Sequence, residues 1–470
     1  MSIINYFKKK TSISKTVIFN LLSTFIIQGV SFLTLPIFSR VLGSEQYGLY
    51  SVFHSWVIIL SNFISLGISS CIGSGKYYFK DEYYNFRSNI AVFNVLISTF
   101  VILIFLVLYK YINILIGYDF YLYIVLLLTA FSTNIINLFN TILIYEKKAV
   151  LNFTFSVILS ISTVVLSLYF IFFNFFVNKY MGRVFGNFIP YIVLSFFCVS
   201  YIMIYKSFKL DIKFLKYGFV VGVPIVFHLL AHYVLGQSDR IMMQKMNIAD
   251  ADIGIYSLYY YFCGAVNILL NTFNNSFSAF YLDYIDCDDK QNIIIKSKNY
   301  IEVFTIICIG FILLSREVSC LMADYEFYSG INLIPIFIGS IYFIFMYQFA
   351  VNYEFYYRKT KTIALGTLCA AISNIFLNLY FIPKYGIYGA AYATIISYAL
   401  LYIFHYIIVK LMSEKRFYLP FSMYIIGIIC ILFSSIIFYV FSDNVLLRWI
   451  LGIMLGVFEI YRIYIRKGIF

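Results

Sequence analysis

The feature that most constrains this chain is the recurrence of apolar segments, each about 20 residues long, from one end to the other. An α-helix needs about this length to cross the hydrocarbon core of a bilayer. The composition agrees, since 62% of the 470 residues are hydrophobic and only 12% are charged. A soluble protein of this length cannot bury so much apolar surface. The sequence therefore predicts an all-α polytopic membrane protein.

Counting these segments predicts about fourteen transmembrane helices. They are placed at residues 15–39, 48–73, 88–109, 120–145, 149–174, 184–205, 218–240, 252–280, 299–320, 330–352, 362–382, 387–410, 421–441 and 445–463. The first segment is too long for the apolar region of a signal peptide, so we expect it to stay in the mature protein.

The distribution of basic residues orients these helices. With a cytoplasmic N-terminus, 25 of the 34 Lys and Arg residues fall on the cytoplasmic side. The other nine fall on the outer side or at outer helix ends: Arg40, Lys110, Lys179, Arg183, Arg240, Lys245, Arg316, Lys384 and Arg448. This asymmetry predicts cytoplasmic N- and C-termini. The net charge of +13 is thus explained by the orientation of the helices in the membrane. We therefore predict no nucleic-acid partner.

Motifs of soluble enzymes and of metal sites are missing from the sequence. The largest polar stretch, residues 281–300, contains four aspartates but no accompanying nucleotide-binding fold, which favours a solvated connector over a sugar-nucleotide site. There is no phosphate-binding loop, zinc-protease motif or hydrolase elbow in a plausible context. None of the eight cysteines forms a C-x-x-C motif. We therefore expect a protein that is not an enzyme and has no cofactor, metal or disulfide framework.

Two short stretches indicate an internal repeat. The segments "GSEQYGLYS" (43–51) and "DADIGIYSL" (250–258) share a G-[LI]-Y-S pattern at an offset of 206 residues. Polar residues follow at the same offset: Ser61, Ser65 and Ser69 in the first copy, and Asn267, Asn271 and Asn275 in the second. Six predicted spans separate the copies, and an even number preserves orientation. The pattern predicts a parallel repeat, with substrate handled between the halves.

The repeat divides the chain into three parts. Residues 1–210 are predicted to form an N-terminal six-helix lobe and residues 211–410 a C-terminal six-helix lobe. Residues 411–470 are predicted to add two transmembrane helices.

Polar residues inside the predicted spans are the candidates for function. On an ideal helix, His228, His232 and Asp239 lie within roughly 40° of one another. Charged groups at the bilayer centre are unfavourable by roughly 2.5–3.5 kcal/mol or more, so such residues should face a partner helix or a wet cavity. The candidates for a substrate cavity are Arg40, Arg240, Lys76, His54, Asn20, Gln28, Asn267, Asn271, Asn274 and Asn275.

Simpler roles remain open for each group. Asparagine stripes often hydrogen-bond neighbouring helices. The histidines could serve packing. Asp239, Arg240 and Arg40 lie near the predicted outer surface, where a locally paired, snorkelling helix end is an equal alternative.

Three motifs resemble those of bacterial lipid-linked oligosaccharide flippases. They are "SRVLGSEQYGLYS" (39–51), "SDRIMMQKMNIADADIGIYS" (238–257) and "IPKYGIYGAAYATIISY" (382–398). The chain is similar in length, span count and repeat to the O-antigen and capsule-repeat translocases. These belong to the polysaccharide transport family of the multidrug/oligosaccharidyl-lipid/polysaccharide exporter superfamily.

The resemblance implies a function. Such proteins flip an undecaprenyl-diphosphate-linked oligosaccharide from the cytoplasmic to the outer leaflet by alternating access, alongside glycan polymerase machinery. A cationic cavity receives the diphosphate head, and Arg40, Arg240 and Lys76 match that role. Proton or sodium coupling is expected, with His228, His232 and Asp239 as the hypothetical coupling site.

One departure and two rival functions bear on this expectation. The second span carries His54 and no arginine before Lys76, which argues against a peptidoglycan-precursor flippase. A cation-coupled multidrug antiporter of the same superfamily should place an acid deep in the first lobe, where none is evident. A membrane glycan polymerase or ligase should have a large outer loop, whereas the outer loops here are short.

Overall fold

The computed structural model describes residues 29–30, 32–204, 210–412 and 419–465. Within these ranges the chain is almost entirely helical and has no β-strand, which confirms the all-α fold class. Ten helices of the described chain are long and apolar enough to cross a membrane, or up to eleven with one bent pair. The multi-pass membrane architecture is thereby confirmed. The count of fourteen stays a prediction, since most of the first span, 15–39, lies outside the described residues.

Contacts divide the chain into two compact units, and the first contains Leu49–Ile241. Its helices are the second part of α1 (Leu35–Ile64), α2 (Cys71–Tyr78), α3 (Tyr83–Val107), α4 (Tyr109–Ile116), α5 (Phe120–Tyr145), α6 (Ala149–Phe172), α7 (Lys179–Met203) and the first part of α8 (Ile212–Lys245). The predicted spans 88–109, 120–145, 149–174, 184–205 and 218–240 lie on long helices, because each is an apolar run of membrane length. The predicted span 48–73 is wrong in its bounds, since α1 starts at Leu35 and ends at Ile64.

Buried amides and hydroxyls connect the helices of the first unit. The Asn134 side chain on α5 donates to Asn94 Oδ1 at 3.0 Å and to Ser98 Oγ at 2.9 Å, both on α3. These three side chains are buried, so each would lose a partner if the helices separated. They act as interhelical hydrogen-bond partners.

An ion-pair network closes one end of the same unit. Arg87 on α3 is fully buried and its Nη1 lies 2.5 Å from Glu146 Oε1, just after α5. Lys148 Nζ lies 2.6 Å from the other carboxylate oxygen. Two cations thus hold one buried acid, which offsets much of the penalty of removing it from water.

Two of the helices depart from straightness where the sequence contains Gly or Pro. In α1 the backbone leaves helical geometry at Gly43, where φ is +73°. In α8 the pieces Ile212–Val223 and Ile225–Lys245 meet at 42°. The break coincides with Pro224, because a proline inside a helix removes a backbone hydrogen bond and crowds the preceding turn.

The second unit contains Leu35–Gly48 and the chain from Met242 onward. Its further helices are α9 (Asp250–Asp286), α10 (Lys290–Met322), α11 (Ile334–Tyr356), α12 (Thr360–Met412), α13 (Ser422–Val440) and α14 (Val445–Ile465). The contact-based units divide the chain within α1 and α8. The lobe boundaries drawn from the repeat, near residues 210 and 410, stay a prediction.

The long helix α12 is a helical hairpin. Its backbone is non-helical at Gly386, where φ is +55°. Close contacts join residues that precede Gly386 to residues that follow it. A β-carbon at Gly389 would lie 2.2 Å from the Phe381 carbonyl oxygen, near the turn, and one at Gly366 would lie 2.6 Å from His405 Nε2, far from the turn. The arms are therefore antiparallel, as expected for the two predicted spans 362–382 and 387–410.

A glycine crossing joins the start of α1 to α9. A β-carbon at Gly48 would lie 1.9 Å from the Asp250 carbonyl oxygen, and one at Gly254 would lie 1.9 Å from the Ser44 carbonyl oxygen. Ser44 precedes Gly48 by four residues, and Asp250 precedes Gly254 by four residues. The contact is thus reciprocal, and both members are related by the same offset of 206 residues.

The last helix is attached to α10 at both of its ends. Arg448 is fully buried, pairs with Glu317 and also donates to the Phe441 carbonyl at 3.0 Å. Near the other end, Arg462 Nη2 lies 3.0 Å from Glu302 Oε2. Two ion pairs therefore fix α14 along α10.

Candidate functional site

The candidate site of the first unit starts on α1. Tyr50 and His54 lie four residues apart on this helix, so their side chains share one face. Their rings stack with centroids 5.8 Å apart and planes 23° apart. Both side chains are partly exposed. This places a flat aromatic surface and an imidazole side by side.

Helix α7 adds Arg183 and Asn187, which are also four residues apart. The Arg183 guanidinium lies 5.3 Å from the centroid of the Tyr50 ring, in cation–π range. Asn187, one turn later, donates to the Tyr50 hydroxyl. Arg183 Nη1 also donates to Ser167 Oγ on α6 at 3.2 Å, which fixes the guanidinium over the ring.

Helix α8 supplies a second arginine through a glutamine. Ser55 Oγ on α1 donates to Gln237 Oε1 at 3.1 Å. Arg240 Nη1 donates to the same oxygen at 3.3 Å and to the Gly236 carbonyl at 3.2 Å. Arg240 is fully buried. Its guanidinium is therefore held by oriented acceptors on its own helix.

We call the set Tyr50, His54, Arg183, Asn187, Gln237 and Arg240 the His54 cluster. Both guanidinium groups lie within electrostatic range of the His54 ring. Positive charges concentrated in a medium of low dielectric constant attract an anion far more strongly than they would in water. Guanidinium groups match phosphate oxygens bidentately, and a tyrosine ring offers a flat surface to a sugar. The cluster can thus bind a phosphorylated, sugar-bearing head.

Two of the predicted substrate residues meet in this cluster, namely His54 and Arg240. Lys76 on α2 donates to the Tyr145 carbonyl at the end of α5 and lies 5.7 Å from the Tyr83 ring centroid. Arg40 belongs to the second unit, is exposed, and donates to the Leu321 carbonyl at 2.9 Å. Two further predicted residues, Asn20 and Gln28, lie outside the described residues.

The asparagines predicted on α9 have different environments. Asn274 is half-buried and accepts from Asn352 Nδ2 on α11 at 3.1 Å, which is a helix-to-helix hydrogen bond. Asn267 is half-buried, whereas Asn271 and Asn275 are exposed.

The three residues proposed for ion coupling on α8 also differ in burial. His228 is half-buried, His232 is exposed with its ring against Tyr233, and Asp239 is fully buried. Among the described residues, no group of three or more His, Cys, Asp or Glu could hold a metal ion.

The structure adds Tyr50, Arg183, Asn187 and Gln237 to the site. In the sequence, Arg183 is one of the nine basic residues assigned to the outer side. Its spacing of four from Asn187, on a helix that is otherwise mostly apolar, was the signal that could have found both residues.

Comparisons with known proteins address the family and the fold. Residues 13–278, more than half of the chain, match the family described as "Polysaccharide biosynthesis protein". A protein of the Lsg locus of Haemophilus influenzae is 24% identical over 384 residues, which cover 77% of this chain and 91% of that protein.

Two solved structures are similar over most of their length. The lipid II flippase MurJ, in an inward closed conformation, has a TM-score of 0.72 at 18% identity, covering 96% of this chain and 99% of that chain. An inward-facing multidrug resistance transporter of the MATE family, in the MOP superfamily, has a TM-score of 0.63 at 13% identity, covering 85% and 96%. The fold is thus that of MOP-superfamily transporters. Because the family match spans most of the chain, the resemblance in the sequence is confirmed, and the chain belongs to the polysaccharide biosynthesis protein family.

Proposed function

We propose that the protein is a flippase for an undecaprenyl-diphosphate-linked oligosaccharide repeat unit. It moves this glycolipid from the cytoplasmic to the outer leaflet of the bacterial cytoplasmic membrane by alternating access, for surface polysaccharide synthesis. The N- and C-termini are cytoplasmic in this proposal, and glycan polymerase machinery uses the product. The protein breaks no covalent bond of its cargo and acts as a transporter.

The observation that carries this proposal is the His54 cluster. Two arginines close to one imidazole match a diphosphate, which bears several negative oxygens. Tyr50 and the amides of Asn187 and Gln237 match the faces and hydroxyls of sugar rings. A drug antiporter that carries organic cations would be poorly served by two arginines in and directly beneath its binding surface, because like charges repel.

Flipping in proteoliposomes tests the proposal. A fluorescent polyprenyl-diphosphate oligosaccharide is reconstituted with the protein, and its protection from an external glycosidase is followed over time. We expect protein-dependent flipping that slows roughly 10- to 100-fold in Arg183→Ala and in Arg240→Ala, because each removes a charge-assisted contact of about 1.5–3 kcal/mol. Lys384→Ala removes an exposed cation outside the cluster and is the matched control.

Three further variants sharpen the result. Arg183→Lys keeps the charge but loses the bidentate geometry, so its flipping rate should lie between those of wild type and Arg183→Ala. Arg40→Ala and Lys76→Ala enter the same series, because the sequence nominates them for phosphate contact. If no lipid-linked glycan flips and the same vesicles export a cationic drug, the proposal fails in favour of the antiporter.

A further inference from the structure

A buried acid–histidine pair lies in the second unit, near the connection between α11 and α12. His405 Nδ1 is 2.5 Å from Glu354 Oε1, and both side chains have 0% exposure. The other carboxylate oxygen accepts from the Thr362 hydroxyl. His405 Nε2 is buried and has no hydrogen-bond partner among the described residues.

We infer that Glu354 and His405 form a proton-binding site whose loading and unloading couples a transmembrane proton gradient to transport. The inference rests on the proposed flippase function for its coupling role. The binding of a proton by the pair stands on the geometry alone.

The first unit provides an internal comparison. One Tyr-Glu pair lies at the end of α5, Tyr145–Glu146, and another lies in the last turn of α11, Tyr353–Glu354. Glu146 is held by Arg87 and Lys148, which stay charged at any physiological pH. Glu354 is held instead by a histidine, whose ordinary pKa lies close to neutrality. A buried glutamate near a helix end is therefore held by permanent cations in one unit and by a histidine in the other.

The charge of the pair explains why protonation should depend on conformation. With one shared proton, the pair is neutral, as carboxylate and imidazolium or as carboxylic acid and imidazole. Loss of that proton leaves a single negative charge in a buried site, with the Thr362 hydroxyl and the neutral imidazole as its donors but no cation beside it. An unpaired buried charge is strongly disfavoured. The buried arrangement thus retains the proton, and a conformation that admits water releases it.

This difference in proton affinity between conformations is the thermodynamic requirement for coupling. A ligand shifts a conformational equilibrium only by its differential affinity for the two states. A proton that binds tightly in one state and weakly in the other therefore biases the transport cycle. We expect proton antiport, in which one proton enters as one glycolipid leaves.

Aromatic and small residues pack around the pair. Tyr347 on α11 stacks on the His405 ring at 6.0 Å. Gly366 on the first arm of α12 lies against His405 Nε2. Phenols and a lysine also lie nearby: Tyr402 and Tyr406 on the second arm of α12 with His405, Tyr424 of α13 against both, and Lys410 5.1 Å from the Tyr406 ring centroid. Phenols and lysines change charge near pH 10, far above the range of a histidine.

The first test observes the proton directly and does not depend on transport. The chain has four histidines, so replacing His54, His228 and His232 by glutamine leaves His405 alone. Nitrogen-15 NMR of the full chain in nanodiscs then reports the imidazole. We expect the His405 ring to bind and release one proton as the pH is changed, and Glu354→Gln to alter this behaviour, because the carboxylate oxygen lies 2.5 Å from His405 Nδ1. An imidazole that keeps one protonation state throughout, with or without Glu354, overturns the proton site.

The second test measures coupling. One pH unit is a tenfold ratio of proton concentration, so one-for-one antiport should accumulate the labelled glycolipid up to about tenfold per pH unit in the leaflet facing the acidic side. In His405→Gln and His405→Arg we expect this ratio to fall to about one, whereas Lys384→Ala should keep it. His405→Arg gives Glu354 a permanently charged partner, like the one that Arg87 gives Glu146. If His405 had only a structural role, this variant would restore the fold and keep the accumulation ratio. That result would contradict the inference.

The two tests separate the ways of failing. If accumulation survives in His405→Gln, or is lost in His232→Gln instead, the coupling site lies elsewhere. If no lipid-linked glycan flips at all, the flippase proposal fails, and the NMR titration still decides whether His405 and Glu354 bind a proton.

Discussion

Gly48 and Gly254 occupy equivalent positions in the two halves of the sequence and cross backbone against backbone. Each glycine lies against the carbonyl group of the residue four places before the other. A side chain at either position would have to displace a helix backbone, not a flexible side-chain tip. The shared G-[LI]-Y-S pattern is therefore explained by helix packing, since only a residue without a β-carbon permits this approach.

Replacing Gly254 by alanine should destabilise the protein. The added β-carbon would lie 1.9 Å from the Ser44 carbonyl oxygen, so α1 or α9 must shift. We expect a loss of about 1–3 kcal/mol or more in the free energy of unfolding. Chemical unfolding in detergent measures it. Gly264→Ala on the same helix is the matched control, because no atom lies within 4 Å of its β-carbon; equal stabilities in the two variants would contradict the crossing.

Replacing Gly386 by alanine isolates backbone strain from packing. No atom lies within 4 Å of a β-carbon at this position, yet its φ is +55° with ψ −130°, a conformation that L-residues avoid. We expect a loss of about 1–3 kcal/mol from strain alone. Unfolding measured beside Gly456→Ala, which is open and has ordinary helical geometry, provides the comparison. A neutral Gly386→Ala would mean that the hairpin turn is not fixed as described.

Removing Arg87 should be far more harmful than removing Lys213. Arg87→Ala leaves Glu146 buried with only Lys148 as a cationic partner, and breaking such a pair is unfavourable by about 3–5 kcal/mol. Lys213 pairs with Glu82 at 3.0 Å, but both side chains are more than half exposed, so Lys213→Ala should change stability little. Melting temperatures in one detergent compare them. Similar losses in both variants would contradict the burial of the Arg87 pair.

The start of α10 should loosen in acid. Asp289 caps this helix, and hydrogen bonds from the side chain and backbone of Asn292 lower the pKa of the Asp289 carboxyl from its usual value of 3.8. A lowered pKa means that the stabilisation is present above the usual value and is lost as pH falls through the native one. The protection of the Asn292 and Ile293 amides against hydrogen exchange, relative to the intrinsic rate at each pH, should fall below about pH 4 in wild type. In Asp289→Ala this protection should be low at all pH, and a protection that does not change with pH in wild type would refute the cap.

Much of the architecture could be predicted because membrane helices depend on local sequence. The apolar runs predicted α3, α5, α6 and α7 within a few residues, since hydropathy and helix length are properties of one segment. The bend of α8 at Pro224 also has a local cause, because a proline within a helix removes a backbone hydrogen bond. The hairpin within α12 was predicted as two spans, and the structure adds only how Gly386 turns the chain.

The candidate site could be predicted only in part, because it depends on which distant helices meet. The sequence predicts Arg183 as a basic residue at the outer end of a helix. Only the structure shows that its guanidinium lies over the Tyr50 ring. The pairing of Glu354 with His405 joins residues 51 positions apart, which no spacing rule connects. A sequence indicates which face of a helix is polar, but it does not indicate which other helix that face contacts.

Affinity for the phosphate head tests the central claim most directly. Purified protein in nanodiscs is titrated with undecaprenyl diphosphate-linked oligosaccharide and with the matching monophosphate, for wild type, Arg183→Ala and Lys384→Ala. We predict that wild type and Lys384→Ala bind the diphosphate roughly 10- to 100-fold more tightly than the monophosphate, and that Arg183→Ala loses most of this preference. A preference that is equal in all three proteins, or absent from wild type, would contradict a diphosphate site at the His54 cluster.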